Sequence, residues 1–255
     1  MISAIIKNYS VIVYNYLNFT IVFILYMTKV LITQSNYIPW KGYFDSINLV
    51  DVFIVYDDMQ YTKRDWRNRN KLKTPQGTSW LSIPVTVKGK YFQKINKTEV
   101  LDLSWTEKHW KTIYQYYSKA PFFKDYKSTI ESIYMNCKTN NLSEINIQFI
   151  EAINSILNIT TRIIRSSELG LVEGKTERLV DLCKKVNGTE YYTGPAAKNY
   201  MDESLFLKED IKINYLDYSG YPEYHQLHEG FAHDVSILDL IFNEGENAHS
   251  YMKTF

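Results

Sequence analysis

Apolar and polar positions alternate along this chain in two periods, and the alternation lays out the elements. Lys29–Thr33 reads as a short buried strand around Val30-Leu31-Ile32. Ser35–Pro39 is a loop, because a proline biases the residue before it away from helix. Trp40–Asn48 carries helical spacing, and Asp51–Tyr56 (DVFIVY) is rich in β-branched and aromatic residues, as a second strand should be. The link between these strands is long enough for a crossover helix, which predicts a parallel βαβ unit. Arg69–Lys73, the turn Thr74-Pro75-Gln76-Gly77 and Thr78–Val85 predict a hairpin that Pro84 should end. Ser104 with Glu107 three residues on is a capping-box pattern opening a helix through Tyr117. Helices follow from Phe123 or Lys124 to Asn136, from Leu142–Glu144 to Leu157, and from Thr176 to Val186, where Asn187-Gly188 is a stop signal. Thr161–Ser166, Glu190–Thr193 and Ile211–Leu216 read as strands, and Ser236–Asn243 as a last short helix. Strands and helices alternate at both ends with a helical insert between them. That predicts one α/β domain over residues 27–255, built on a mostly parallel sheet.

The first 26 residues stand apart. They are apolar, with Lys7 as the one charged side chain, and Asn15, Asn18 and Thr20 interrupt the run. The stretch Val11–Tyr26 falls short of the roughly 20 apolar residues a helical span needs. Met27 directly precedes the first strand. The favoured expectation is a start-site extension, with a weak membrane anchor as the alternative.

Composition narrows the function without naming it. A hydrophobic fraction of 45% and a charged fraction of 22% are those of a globular protein. The net charge of +1 provides no overall field toward DNA or an anionic membrane, so any basic surface must be local. Neither DNA nor a membrane is therefore an expected partner. Cys137 and Cys183 both lie on apolar helical stretches and read as buried reduced thiols of a cytoplasmic protein.

The chemistry concentrates after the first two strands. Gln34, Asn36 and Tyr37 follow strand one, where amide side chains suit neutral hydroxyl and amide groups. Asp57 and Asp58 end strand two. One could orient or deprotonate an ammonium group, although strand alternation sends them to opposite faces. Lys63, Arg64, Arg67, Arg69 and Lys71 then fall within nine positions, interleaved with Trp66, Asn68 and Asn70. Forked guanidinium donors match phosphate, and an indole offers a flat face for a ring. A solvated basic strand would show the same charges, and a single-stranded nucleic acid end would use the same residue types. His225-x-x-His228-Glu229-x-x-x-His233 carries zinc-type residues at a spacing that is not HExxH, so no metal site is assigned. Gly174-Lys175-Thr176 lacks the upstream glycine spacing of a phosphate-binding loop.

These strings carry a resemblance. Gln34–Asp45 (QSNYIPWKGYFD), Asp51–Tyr61 (DVFIVYDDMQY) and Lys63–Asn70 (KRDWRNRN) resemble the WbqC-like family. So do Lys119-Ala120-Pro121-Phe122-Phe123, Tyr192–Tyr200 (YTGPAAKNY) and Gln226, Phe231 and Ser236–Gly245. The likeness covers about residues 28–250. It implies a role in O-antigen or related surface-polysaccharide biosynthesis, with transfer of glycine or a related aminoacyl group to an amino-sugar nucleotide. The acyl donor it leaves open: an activated amino acid, an aminoacyl-tRNA or a thioester. No cofactor is specified. Trp40, Gln60 and Lys198 join the candidate substrate-binding set through the matching strings. Lys29–Asp58 also looks like the opening of Rossmann-type nucleotidyltransferase folds, which carry His-x-Gly-His at the loop–helix junction. Here those positions are Trp40, Lys41, Gly42 and Tyr43, so nucleotidyl transfer on ATP is the alternative reading with both histidines missing. A non-catalytic sugar-nucleotide-binding protein is the third.

Overall fold

The computed structural model describes the backbone of residues 9–16 and 19–255, with side chains from Met27 onward. Strands β1 (Tyr9–Tyr16) and β2 (Phe19–Tyr26) pair antiparallel. The expectation of a start-site extension or weak anchor concerns side chains outside the described residues.

The body of the chain is a five-stranded sheet. β3 (Lys29–Thr33) lies at its centre, followed on one side by β4 (Val52–Val55) and later β7 (Arg162–Arg165). On the other side lie β8 (Glu190–Thr193) and β9 (Lys212–Tyr215). All four pairings are parallel. The chain builds outward from β3 and then returns to start again beside it. This is the Rossmann-type order, with a topological switch between β3 and β8. The α/β class and parallel sheet expected from the sequence are what the chain forms.

Strand alternation sorts the core into two layers. Leu31, Phe53 and Val55 face Phe44 and Ile47 of helix α1 (Lys41–Asn48) and the later helical layer. Val30, Ile32, Val52 and Ile54 face the opposite way, onto Leu179 and Leu182 of α6 (Thr176–Lys185) and Phe206 of α7 (Glu203–Leu207). Both faces of the central strands are covered, so these strands read as continuous apolar runs.

The helical insert lies between β4 and β7. It opens with the antiparallel hairpin β5 (Arg69–Thr74) and β6 (Gly77–Ser82). Helices α2 (Trp105–Tyr117), α3 (Phe123–Met135) and α4 (Leu142–Ile156) follow. β6 stops before Pro84, as expected. The capping box does not form: Ser104 is itself helical and its side chain caps nothing, while its N–H donates to Asp102 Oδ1 at 2.7 Å. α4 is capped instead by Asn141, whose side chain accepts from Glu144 N. Two short helices, α5 (Ser166–Leu169) and α7, were not expected from periodicity, because four or five residues are too few to show one. The last helix, α8 (Ile237–Glu244), returns to pack on α3, and Phe242 meets Phe123 at 5.0 Å. Cys137 and Cys183 are buried and unpaired. Among the described residues no helix is long and apolar enough to cross a membrane.

Candidate functional site

The loop after β3 is held from several sides. Tyr37 N donates to Trp66 O at 3.1 Å, and the buried Asn70 amide donates to the carbonyls of both Tyr37 and Ile38 at 3.0 Å. Ile38 has φ +36°, a left-handed value that a β-branched residue before a proline adopts only when its surroundings impose it. The Asn70 amide is that constraint, and strained backbone of this kind gathers at functional sites. Asn36 accepts from the Arg67 guanidinium, which also pairs with Asp65 at 3.6 Å. Asn146 of α4 donates to Ser35 Oγ at 3.0 Å and to Arg67 O at 2.8 Å, tying the loop to the insert.

Pro39 and Trp40 then turn the chain into α1. A Cβ on Gly42 would sit 2.8 Å or less from three atoms of the Trp40 indole. The indole therefore lies folded over the first helical turn, and Trp-x-Gly is the spacing that permits it. The edges of Tyr218 and Tyr221 meet Trp40 at 5.6 and 5.4 Å. Both tyrosines come from the loop after β9, which turns at Gly220 with φ +68°. Tyr221 is fixed from behind: its hydroxyl donates to Asp45 Oδ2 at 2.6 Å, and Lys41 Nζ lies 5.4 Å from its ring centre. Lys41 is buried, donates to Pro222 O at 2.6 Å and has no carboxylate partner among the described residues. Burial pushes its amine down to about 8, against the nearby Asp45 and Glu223.

These groups enclose a cavity of about 580 Å³, within the range of small-molecule sites. Asn36, Pro39, Trp40 and Trp66 line it from the opening segment, with Asn70 from β5. Tyr218, Ser219, Gly220 and Tyr221 line it from the loop after β9, and His233 and Asp234 from the segment before α8. Trp66 leans on Trp80 at 5.2 Å, and the Arg69 guanidinium lies 3.9 Å over the Trp80 ring. Asp234 is ion-paired to Lys71. The cavity is thus an aromatic box with amides, one histidine and one carboxylate, beyond the carboxyl end of the sheet, where α/β folds place ligands.

The candidate residues from the sequence divide. Asn36, Trp40 and Trp66 line the cavity, and Arg67 stands behind Asn36. Gln34 contributes its carbonyl, which accepts from Tyr43 Oη at 2.9 Å. Lys63 and Arg64 are exposed, and the Arg64 carbonyl accepts from Arg69. Tyr37 and Asn68 do not reach the cavity. Tyr37 is fully buried, its hydroxyl between His109 Nδ1 at 2.9 Å and Tyr134 Oη at 2.7 Å. Ser82 O can only accept from His109 Nε2, so Nε2 carries the proton and Tyr37 donates to Nδ1. Asn68 is spent on Tyr61 Oη and the Ile83 carbonyl. Gln60 donates to Tyr91 O, and Lys198 stacks over Tyr215 at 4.6 Å; neither lines the cavity.

Asp57 and Asp58 line a separate polar pocket of about 200 Å³. Asp57 is buried and accepts from Ser35 N at 2.8 Å, Ser35 Oγ at 2.6 Å and Ser143 Oγ. Burial raises its carboxyl, while the hydrogen bonds of Ser143 and Ser35 and the charge of Arg67 pull it back. It clasps the ends of β3 and β4 to the first turn of α4. Asp58 accepts from Ser166 Oγ at 2.7 Å and Asn96 Nδ2 at 3.1 Å, with Lys94 at 3.6 Å. The histidines of the zinc-like string go separate ways: His228 bonds to Tyr116 O at 2.9 Å, while His233 faces the cavity.

Tyr218, Ser219, Gly220, Tyr221 and Asp234 are the lining residues that sequence reasoning missed, and His233 stood out only within the zinc-like string. The one signal was a Tyr-Ser-Gly-Tyr-Pro string between a strand and the last helix, an aromatic-rich turn too short to show a period.

Comparison with known proteins agrees with the strings that surround this site. No solved structure matches the chain. A curated relative, "Uncharacterized protein Rv1507c" of Mycobacterium tuberculosis, is 48% identical over 227 residues, covering 89% of this chain and 98% of that protein. The profile of the WbqC-like protein family matches residues 34–251, from the loop after β3 to the end of the described cavity and beyond α8, and the chain belongs to that family.

Proposed function

We propose that the protein works inside the cell in surface-polysaccharide biosynthesis, holding an amino-sugar nucleotide in the aromatic cavity and transferring glycine or a related aminoacyl group to the sugar amine. The observation that carries the reading is the cavity itself. A ring-bearing ligand is matched by the faces of Trp40, Trp66, Tyr218 and Tyr221. The Asn36 amide nitrogen suits its hydroxyl and carbonyl groups, while Asn70 holds the loop that carries Asn36. None of the arginines lines the cavity; Arg67, bonded to the lining Asn36, and Arg69, over the Trp80 ring beside the lining Trp66, are the nearest candidate donors for the diphosphate.

In the reaction the sugar nitrogen attacks the donor carbonyl, the new N–C bond forms, and the ester or thioester bond to the donor breaks. The leaving oxygen or sulfur departs with the electron pair. The nitrogen sheds one proton. Asp234 and His233 are the cavity's titratable acceptors for it, whereas Asp57 acts by positioning the loop that carries Asn36. A triphosphate seat at the start of α1, as nucleotidyl transfer would use, is disfavoured by the Trp40 indole folded across that turn.

The test is incubation with candidate amino-sugar nucleotides, glycine donors and ATP, followed by mass spectrometry. A glycylated sugar nucleotide without AMP or pyrophosphate supports the reading. Release of either favours the nucleotidyltransferase alternative, and binding without turnover across the panel favours a non-catalytic one.

A further inference from the structure

The segment Lys88–Lys97 (KGKYFQKINK) has four lysines and no acidic residue. At its tip Tyr91 and Phe92 are 71% and 82% exposed, packed only edge-on against each other at 4.9 Å. The exposure is built rather than loose. Lys90 N donates to Val87 O at 3.2 Å and Gln93 N to Lys90 O at 3.3 Å, closing the tip on itself. Gln60 Nε2 donates to Tyr91 O and Gln93 Nε2 to Thr86 O, each at 2.9 Å. Tyr61 N to Gln93 O and Ile95 N to Met59 O, both at 2.9 Å, fasten the base of the loop to the residues that follow β4. Two bulky rings are thus held in water by a hydrogen-bonded frame, which costs free energy without any return inside this fold.

The charge around them selects the occupant. Lys90 is shared with Glu99 at 3.5 Å and Lys94 with Asp58 at 3.6 Å. Lys88 and Lys97 have no carboxylate within ion-pair distance among the described residues. An aromatic tip flanked in sequence by lysines matches a bilayer interface: the rings enter the headgroup zone and the ammonium groups meet anionic phosphates. A protein groove would be equally apolar but would not by itself call for a segment with four lysines and no acidic residue. We propose that this loop docks the protein on an anionic membrane surface, through Tyr91 and Phe92 inserted at the interface and the lysines around them. The attraction is local, so it is compatible with a net charge of +1. The loop base is fastened to the residues that leave the carboxyl end of β4.

The test is co-sedimentation of the full chain with vesicles of phosphatidylcholine alone and with one-third phosphatidylserine. Comparison variants are Tyr91→Ser/Phe92→Ser and Lys88→Glu/Lys90→Glu, both confined to exposed side chains and expected to melt with the parent. Binding to the anionic vesicles that falls on the order of tenfold or more in each variant, and in high salt, supports the proposal. No binding to anionic vesicles overturns it. So does binding that survives Tyr91→Ser/Phe92→Ser, which would place the contact elsewhere in the chain. Loss of self-association in that variant, with no vesicle binding by the parent, would instead make the tip a contact between copies.

Discussion

Gly42→Ala separates two effects that the structure sets against each other. By helix propensity alone, alanine in α1 should gain about 0.5–1 kcal/mol over glycine. In this fold the added Cβ would overlap the Trp40 indole, three of whose atoms would lie 2.8 Å or less away. The ring must swing off the helix and give up its edge contacts with Tyr218 and Tyr221. Each such contact is worth about 0.5–1.5 kcal/mol, so the loss is roughly 1–3 kcal/mol. The net expectation is destabilisation of about 0–2 kcal/mol, a fall of a few degrees in melting temperature. The sign should reverse once the indole is gone: in a Trp40→Ala background, Gly42→Ala should stabilise by about the propensity term. A double-mutant cycle by thermal and urea unfolding therefore reads a coupling of about 1–3 kcal/mol. Additivity within about 0.5 kcal/mol would refute the folded-over indole, and with it the wall of the cavity.

Other consequences follow from the same geometry. Asp57→Ala leaves three buried donors of Ser35 and Ser143 without their acceptor and should cost about 3–5 kcal/mol in urea unfolding, with loss of any cavity ligand as a secondary effect. His109 is buried, and burial pushes its ring down to about 4, so the folded state holds it neutral. The unfolded chain takes up a proton near 6.5, so the stability from this group is complete above 6.5. It is lost as pH falls toward 4, by up to about 3 kcal/mol, and His109→Gln should flatten that slope in pH-dependent melts. Arg67→Ala should free Asn36 and weaken sugar-nucleotide binding about tenfold or more by calorimetry, while Lys198→Ala should leave it unchanged.

The elements near the site were legible because local physics sets them. β3 and β4 are apolar on both faces, α1 follows a proline, and the Thr74–Gly77 turn dictates its hairpin; β8 runs over the residues expected. The boundary shifts are one or two residues, where helix and strand ends compete with tertiary contacts, except that β6 ends at Ser82, three residues before the expected Val85. The failure at Ser104 is of another kind: Asp102 offers the same backbone donor a better acceptor two residues away. The site was half legible. Trp66, Asn36 and Trp40 stand out by type and spacing. Tyr37 and Asn68 look identical to them in sequence and differ only in pointing into the insert, which no local pattern encodes. Tyr218, Tyr221, His233 and Asp234 come to the cavity through the return of the chain after β9, a long-range consequence of strand order. Asp57 and Asp58 were read as reactive from their place at a strand end, and the same place makes them clasps for the segments that converge there.

The central claim is that the aromatic cavity holds an amino-sugar nucleotide, and calorimetric titration of a uridine-diphosphate amino sugar tests it most directly. The parent protein should bind saturably, and Trp66→Ala should weaken binding about tenfold or more through loss of one stacking wall, while remaining folded at the titration temperature because the lost contact with Trp80 costs only about 0.5–1.5 kcal/mol. Equal affinity in parent and Trp66→Ala, or no heat from any amino-sugar nucleotide, would contradict it.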